Sequence, residues 1–442
     1  MASNKDNEDL TRVGPGTLMG NFMREYWMPA AKATEVVADG PPLRLMLLGE
    51  KLVAFRDTHG RVGVMDHQCP HRCVSLFLGR NEENGIRCVY HGWKFDVDGN
   101  CVDIPGIQIH EEGKLKVKAK AYPTRERNGV IWVYMGKREV PPELPMLEVC
   151  TLPSEDVEVI FIQRNSNWMQ NFEGEIDTGH FNFLHVGAVN PDNIPDGHAL
   201  QHTVGRKHKF SVNDTDLGVS YAAHTPVDED HTYWRFAHFA MPFWSLIPQA
   251  DIRYNVLARA WVPMDDEHSM LVFFFWRSGR RGGLTDPLKD GKSLVGGSLM
   301  TNNFVPNSTD WFGRWRLTGN KQNDWLIDRD IQKANLSFSG IDGVHMQDQA
   351  MTDSMGAILD RSEEHLMESD LMVARSRRRL LKAARAFSED NLPPPGVDSH
   401  EAYFTPRGGF CITESADEWS DVYKAQLEGL FHPGQTDTTF KA

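Results

Sequence analysis

Two short segments in the first quarter of the chain combine the residue types that bind iron or zinc. CPHRC, residues 69–73, and CVYHGW, residues 88–93, each place one Cys two or three residues before one His. A [2Fe–2S] cluster needs four protein ligands, and two neutral imidazoles on one iron raise its reduction potential above that of an all-thiolate cluster. A structural zinc site is the alternative, but zinc fingers usually group Cys with Cys and His with His. The mixed pairs therefore favour a [2Fe–2S] cluster held by Cys69, His71, Cys88 and His91.

A second group of metal-binding residue types lies in NFEGEIDTGHFNFLH, residues 171–185. On a helix Asp177 and His180 share a face, whereas His185 is five residues beyond His180, so a local irregularity must bring the imidazoles together. Two His and one carboxylate form the facial triad of non-haem Fe(II) oxygenases, which leaves positions open for O₂ and substrate. Two unrelated helix histidines are the alternative. Beside the first motif, the spacing favours an iron site.

The stretch from 69 to 93 resembles the Rieske motif, in the form CPHR…CVYHGWKFD found in ring-hydroxylating oxygenases. The resemblance implies that the two Cys bind one iron and the two His the other. Respiratory Rieske proteins add a disulfide, for which Cys73 is one possible partner, but Val89 stands where the second Cys would be. We therefore expect no disulfide and a lower potential than in the respiratory type. The remaining cysteines are expected to be plain buried thiols: Cys73, Cys101, Cys150 and Cys411.

The same resemblance assigns roles around the second motif. It implies that His180 and His185 bind the mononuclear iron. It also implies that Asp177 is not a ligand but links this site to the Rieske His91 of a neighbouring subunit. The third ligand is expected from an Asp on a late helix, where the candidates are Asp342, Asp348 and Asp353. The pattern QDQAMTDSMG favours Asp348, with Asp353 as second choice.

From residue 20 to about 380 the chain most resembles the phthalate-dioxygenase branch, through NWMQNFEGEIDTGH, TYWRFAHFAMP and ILDRSEEHL. That branch acts on benzoates with one or two ring carboxylates, and Arg suits bidentate carboxylate binding. Arg235 lies on an apolar strand where a bare charge is costly, and Arg206 follows His185 by 21 residues. The resemblance implies that both contact the acid, with Lys207 and Arg253 in reserve.

The function implied is the oxygenase component of a multicomponent dioxygenase. It would add O₂ to phthalate, isophthalate or a substituted benzoate and give a cis-dihydrodiol. Electrons would come from NADH through a separate reductase that contains flavin and a [2Fe–2S] cluster. The branch uses one kind of oxygenase subunit, so a homotrimer or a stacked hexamer is expected. The alternatives are a Rieske monooxygenase, such as an O-demethylase or alkyl hydroxylase, and a Rieske electron-transfer protein without oxygenase activity.

The elements that must hold these residues predict an α+β fold. Short strands with Gly, Asp and Asn turns run from 42 to 102, and a Pro-rich charged stretch at 136–153 indicates a domain boundary. We predict an N-terminal arm (1–25), a small antiparallel β Rieske domain (26–145) and a catalytic domain (146–442). The catalytic domain is expected to be an antiparallel sheet flanked by helices, of the helix-grip, START-like type. Residues 165–186 and 345–388 are predicted helical, and 278–310 a long loop.

Composition narrows the functional classes. The chain has 442 residues and a formal net charge of −14, which argues against a nucleic-acid partner. The charged N-terminus has no apolar run typical of a signal peptide, and the apolar stretch Met270–Trp276 is too short to span a bilayer. A cytoplasmic protein without membrane contact is expected. The basic run at Arg375 and 377–379 is interpreted as a solvated helix face.

Overall fold

The computed structural model describes residues 3–106, 117–203, 208–279, 286–291, 302–414, 418–428 and 430. The described residues form seven α-helices: α1 Asn4–Thr11, α2 Leu18–Arg24, α3 Trp168–Ile176, α4 Arg329–Lys333, α5 Val344–Ser354, α6 Leu371–Asp390 and α7 Trp419–Glu428.

Three small antiparallel sheets form the N-terminal region. Their strands are β1 Trp27–Lys32, β2 Leu43–Leu47, β3 Glu50–Arg56, β4 Val62–Asp66, β5 Arg80–Glu82, β6 Gly85–Arg87, β7 Lys94–Phe95, β8 Cys101–Asp103, β9 Ala121–Tyr122, β10 Thr124–Arg127 and β11 Val130–Tyr134. The strand orders are β1-β11-β10, β2-β3-β4-β9 and β5-β6-β7-β8. The second Cys–His segment, residues 88–93, lies between β6 and β7 of the last of these sheets, and the first segment, residues 69–73, lies between β4 and β5.

One eight-stranded antiparallel sheet dominates the rest of the chain. Its strands are β12 Val157–Arg164, β13 Lys209–Asp214, β14 Gly218–Pro226, β15 His231–Ala240, β16 Trp244–Leu246, β17 Leu257–Pro263, β18 Ser269–Trp276 and β19 Gly409–Glu414. The order is β12-β18-β17-β16-β15-β14-β13, and β19 pairs with the first half of β15. Strands β17 and β18 are buried along nearly their whole length, which explains their nearly continuous apolar sequence.

Helices α3 and α6 pack against this sheet, and α6 lies along β13 and β14. Trp132 of β11 stacks on Trp244 of β16 with ring centroids 5.9 Å apart, which joins the small sheets to the large one. The predicted α+β class is confirmed: small antiparallel sheets precede a larger antiparallel sheet that is flanked by helices.

The helical predictions need three corrections. Residues 165–186 are not one helix, because α3 ends at Ile176 and a separate π turn follows at Phe181–His185. Residues 345–388 form two helices, α5 and α6, with 355–370 outside both. Arg377 does not lie on a solvated face, because it is buried against Glu173 and Glu364. Of the predicted loop at 278–310, residues 280–285 and 292–301 lie outside the described residues, and the described remainder forms no helix or strand.

Candidate functional site

The two Cys–His segments form a matched pair of loops. Loop 69–74 follows β4, and loop 88–93 joins β6 to β7. In the first loop the N–H of Cys69 donates to the carbonyl of Val74 at 2.8 Å, and the carbonyl of Cys69 accepts from the N–H of Cys73 at 2.8 Å. In the second loop Cys88 makes the same two bonds, to Trp93 at 2.8 Å and from Gly92 at 2.9 Å. The fifth residue of each loop has positive φ, Cys73 at 56° and Gly92 at 77°. The shared backbone geometry presents the same ligand types from two sides of one site.

Burial separates the two ligand types. Cys69 and Cys88 are 1% and 3% exposed, whereas both imidazoles lie at the surface with ring centroids 4.6 Å apart. The ring of His71 also stacks on Trp93 at 4.5 Å. Burial raises the pKa of the Cys69 thiol to about 11, so a bound cation is needed to hold its thiolate at neutral pH. Two buried sulfurs and two exposed imidazoles fit the ligand set of a [2Fe–2S] cluster, which Cys69, Cys88, His71 and His91 would hold.

The prediction that Cys73 is buried is wrong. Cys73 is exposed, because it occupies the left-handed corner of its loop, which projects from the surface. Cys101, Cys150 and Cys411 are buried as predicted, and all six cysteines are free thiols.

A break in the helix brings the two histidines of the second motif together. Helix α3 ends at Ile176, and the side chain of the next residue, Asp177, accepts a 2.7 Å hydrogen bond from the backbone N–H of Gly179. His180 then starts the π turn, in which the N–H of Val186 donates to the carbonyl of Phe181 at 3.2 Å. A π turn has more residues per turn than an α-helix and is common at functional sites. It is the irregularity that the five-residue spacing required.

Three donor atoms meet in front of this turn. His180 Nε2 lies 3.0 Å from His185 Nε2, and Asp348 Oδ1 lies 3.7 and 3.1 Å from these two nitrogens. Ligands at adjacent corners of an octahedron with bonds of roughly 2.1 Å lie roughly 3.0 Å apart. His180, His185 and Asp348 therefore fit one face of a mononuclear iron site. They are the one such group found among the described residues.

Asp177 and Gln347 contact the far sides of the two imidazoles. Asp177 Oδ2 lies 3.4 Å from His180 Nδ1, and Gln347 Oε1 lies 2.7 Å from His185 Nδ1. Gln347 was not among the site residues predicted from the sequence. Its position beside Asp348 on α5 was the available signal, but the sequence does not show which neighbour of Asp348 faces His185.

The charges around the site favour a cation. Burial opposes the charged form of His180, but the neighbouring carboxylates of Asp177, Asp348 and Glu175 outweigh it and raise its pKa to about 9. Burial alone would raise the pKa of Asp348, yet the two histidines hold it well below its usual value. Without a metal, the site stabilises positive charge on the imidazole of His180, and an iron ion would supply that charge instead.

The other two candidate aspartates lie elsewhere. Asp353 accepts a 2.7 Å hydrogen bond from Ser166, and burial raises its pKa. Asp342 is exposed. Of the three, the structure brings only Asp348 to the histidines.

Arg235 is buried next to the π turn. It is 4% exposed, and its Nε donates to Thr178 Oγ1 at 3.1 Å. Its other nitrogens lie 3.4 Å from Tyr233 Oη and 3.5 Å from the carbonyl of Pro248, and the guanidinium lies 5.0 Å from the ring centre of Phe181. Among the described residues, no carboxylate forms a salt bridge with Arg235.

The other cationic residues considered as contacts for the substrate acid were Arg206, Lys207 and Arg253. Arg206 and Lys207 lie outside the described residues. The side chain of Arg253 is 64% exposed and forms a salt bridge with Asp251.

An open cleft of about 510 Å³ lies on the outer side of His180. Its floor includes Asp177, and its rim includes Phe183, Glu368 and Asp370. Phe183 is 65% exposed, so the cleft presents both apolar and acidic groups to solvent. Within the described ranges, the structure contains no helix of sufficient length and apolarity to cross a membrane.

Comparison with known proteins agrees with this geometry. The Rieske [2Fe-2S] domain family matches residues 26–117, and the LigXa C-terminal domain like family matches residues 133–403. The chain is 57% identical over 430 residues to the 3-chlorobenzoate-3,4-dioxygenase oxygenase subunit of Comamonas testosteroni, covering 97% of this chain and 100% of that protein. It is 38% identical over 398 residues to the phthalate 4,5-dioxygenase oxygenase subunit of Pseudomonas putida, covering 88% and 87%.

Among solved structures, dicamba monooxygenase bound to dicamba superposes with a TM-score of 0.55 at 16% identity, covering 83% of this chain and 99% of that one. At this identity the likeness shows the fold alone. Oxygenase subunits of multicomponent systems use O₂ and an aromatic substrate and receive electrons from a separate reductase. The chain belongs to the Rieske non-haem iron oxygenases, as the oxygenase component of an aromatic ring-hydroxylating dioxygenase with a [2Fe–2S] cluster and a mononuclear iron.

Proposed function

We propose that the protein adds both atoms of O₂ to the ring of an aromatic carboxylate and gives a cis-dihydrodiol. The observation that carries the substrate class is Arg235, a buried cation beside the turn that bears His180 and His185. Relatives named for 3-chlorobenzoate and phthalate support the same class. We favour a substituted benzoate of the 3-chlorobenzoate type, because that relative is the more similar of the two.

The contacts of Arg235 explain why a carboxylate fits. Burying a guanidinium without a counter-charge is costly, and its protein partners here are neutral hydroxyl and carbonyl groups. A substrate carboxylate would supply the missing charge and accept two parallel hydrogen bonds. The nearby ring of Phe181 offers an apolar contact for the aromatic ring. Arg206 is proposed as a second contact with the acid.

The metal-binding residues divide the chemistry between two places. We infer that Cys69, His71, Cys88 and His91 hold the cluster, and that His180, His185 and Asp348 hold the iron. When bound, the cluster supplies electrons one at a time and the iron activates O₂ for attack on the ring. Arg235 holds the substrate by its carboxylate and thereby orients the ring. The carboxylate of Asp177, 3.4 Å from His180 Nδ1, orients that imidazole and stabilises the proton on its Nδ1.

The electron route is proposed to cross between copies of this chain. The exposed end of the cluster loops bears His71, His91 and the cation Arg72, whereas the cleft beside His180 is acidic. These charges are complementary, so we infer that the cluster end of one copy docks at the Asp177 cleft of the next. A homotrimer closes such head-to-tail contacts into a ring. A reductase that oxidises NADH in the cytoplasm is proposed to refill the cluster.

A substrate panel tests this function. Purified oxygenase with a compatible NADH-dependent reductase is given 3-chlorobenzoate, phthalate, isophthalate, a methoxybenzoate and toluene. We expect substrate-dependent O₂ uptake and a cis-dihydrodiol from at least one carboxylate, and neither from toluene. Formaldehyde from the methoxybenzoate without any diol would indicate a monooxygenase. Cluster reduction with no O₂ uptake on any substrate would indicate an electron-transfer protein.

A further inference from the structure

The hydrogen bonds of Gln347 determine the protonation of His185. Gln347 and His185 are 1% and 8% exposed, so water does not satisfy their polar atoms. Gln347 Nε2 donates to the backbone carbonyl of Ile341 at 2.9 Å, and Gln347 Oε1 lies 2.7 Å from His185 Nδ1. Each polar atom of this amide therefore has one defined partner.

The orientation of the Gln347 amide follows from its contact with the backbone carbonyl of Ile341. A carbonyl only accepts hydrogen bonds, so the NH₂ group of Gln347 must face Ile341 and its oxygen must face His185. The oxygen in turn only accepts, so His185 Nδ1 must carry a proton. In a neutral imidazole the other nitrogen, Nε2, is then left with its lone pair. That lone pair points to the place where His180 Nε2 and Asp348 Oδ1 meet.

We propose that Gln347 is a positioning residue that holds His185 in the tautomer protonated on Nδ1, so that Nε2 is available to the metal. The proposal rests on the proposed iron site. Without the amide oxygen, the Nδ1–H would be buried and unsatisfied, and His185 would gain stability by moving its proton to Nε2. The affinity for iron would fall for this reason.

The two histidines are thus held by different chemistry. His180 has the carboxylate of Asp177 behind it, whereas His185 has a neutral amide. A neutral partner fixes the tautomer without adding a further negative charge next to Asp348. Gln347 acts on His185 alone, and Asp177 on His180 alone.

The test measures iron affinity and does not depend on turnover. The mononuclear iron is removed by chelation while the cluster stays in place, and Fe(II) is titrated back under anaerobic conditions. In Gln347→Met, which keeps the side-chain length and removes the amide, we expect the Kd to rise about 10- to 100-fold, the usual loss when a partner of a ligand histidine is removed. Gln347→Glu retains an acceptor for the Nδ1–H, so its Kd should equal or fall below the wild-type value.

Gln170→Met is the matched control. Gln170 is also 1% exposed, and its amide hydrogen-bonds only to the backbone, at Thr352, Gly356 and Leu359. It should lower the melting temperature and leave the Kd for Fe(II) unchanged. A wild-type Kd in Gln347→Met, or a Kd in Gln347→Glu no better than in Gln347→Met, would overturn the tautomer role.

Two further outcomes separate this inference from the proposed function. If the wild-type protein takes up no Fe(II) beyond the cluster, the iron site itself is wrong. If Gln347→Met does not fold, Gln347→Glu decides alone. A Kd within about threefold of wild type supports the acceptor role, and a tenfold loss refutes it.

Discussion

Among single residues, the side chains that contact Nδ1 of His180 and Nδ1 of His185 explain how the two imidazoles are oriented. Asp177 directly follows the last residue of α3 and contacts both His180 and the open cleft. Because its other side is accessible to a docked partner, it is placed to link a ligand histidine to an incoming cluster. Gln347 is buried and has no such access, so its role is confined to His185.

Replacing Asp177 should separate electron transfer from metal binding. In Asp177→Asn the amide can still contact His180 but carries no charge. We expect both metals to stay bound while single-turnover reduction of the iron slows by roughly 10- to 100-fold. Rapid mixing of the reduced enzyme with substrate and O₂ measures this step, and Asp421→Asn, an exposed substitution on α7 outside the lining of the cleft, is the control. A normal rate of iron reduction in Asp177→Asn would refute the role.

Replacing Arg235 should weaken the binding of the acid. Hydrogen bonds to a charged group contribute about 1.5–3 kcal/mol, so Arg235→Gln should raise KM for a benzoate about 10- to 100-fold. The effect on kcat should be smaller, because the carboxylate is bound in both the ground state and the transition state. Steady-state kinetics check this, with Arg253→Gln as a surface control. Equal KM values in wild type and Arg235→Gln would remove Arg235 from the substrate site.

The ligand residues could be predicted from the sequence where they lie close to one another along the chain. The Cys and His of each pair lie within four residues of each other, so their spacing predicts a shared metal site. A lone Arg in the apolar run TYWRFAHFAMP also carried a signal, because a buried charge requires a reason. Gln347 carried only the signal of its position beside Asp348, because its partner depends on how α5 packs against the π turn. That packing involves residues more than 150 positions apart.

At the scale of elements, α3 is held by buried ion pairs on two sides. Glu173 contacts Arg361 and Arg377, and Glu175 contacts Arg259 of β17. Burial alone would raise the pKa of Glu173, but the two arginines outweigh it and hold the pKa below its usual value. These pairs fix the end of α3, and hence the position of Asp177, relative to the sheet.

Removing Arg361 should destabilise the protein strongly. Arg361 is fully buried, so Arg361→Met leaves Glu173 with one fewer partner in a dry environment. Breaking a buried ion pair on one side costs about 3–5 kcal/mol, which denaturant unfolding would measure. Arg375→Met is the control, because its contact with Asp214 lies at the surface. Equal loss of stability in both variants would contradict the account of this network.

The ends of the helices near the site were the hardest features of the fold to predict from the sequence. The sequence required an irregularity between His180 and His185 but did not specify a π turn, because several backbone geometries bring such positions together. The buried state of Arg377 could have been inferred from its position four residues after Val373 and three before Leu380, on the apolar stripe of α6. Arg377 was predicted to lie on a solvated helix face because the sequence shows no partner for its charge.

At the scale of the molecule, the cluster and the iron belong to two cores. Cys69 and Cys88 pack among residues between 53 and 121, whereas α3, α5 and the large sheet share the main core. The arm at the N-terminus packs into that main core through Leu10 and Phe22. This division is consistent with docking between copies, since the cluster end projects from a region of its own.

Charge reversal should test the docking between copies. Arg72→Glu and Glu368→Arg each place like charges at the proposed contact, and each should slow transfer from cluster to iron about tenfold. The double variant restores opposite charges and should recover most of the rate. Stopped-flow oxidation of the cluster measures the rate of this transfer, and sedimentation measures the oligomeric state. Arg80→Glu, elsewhere on the same region, is the control. A double variant as slow as the single ones would contradict this contact.

The central claim is that this chain inserts both atoms of O₂ into an aromatic acid. A single turnover of the fully reduced oxygenase with 3-chlorobenzoate and ¹⁸O₂, analysed by mass spectrometry, tests it most directly. The expected product is a cis-dihydrodiol that carries two ¹⁸O atoms. A product with one ¹⁸O atom, or unchanged substrate after the cluster and iron have been oxidised, would contradict it.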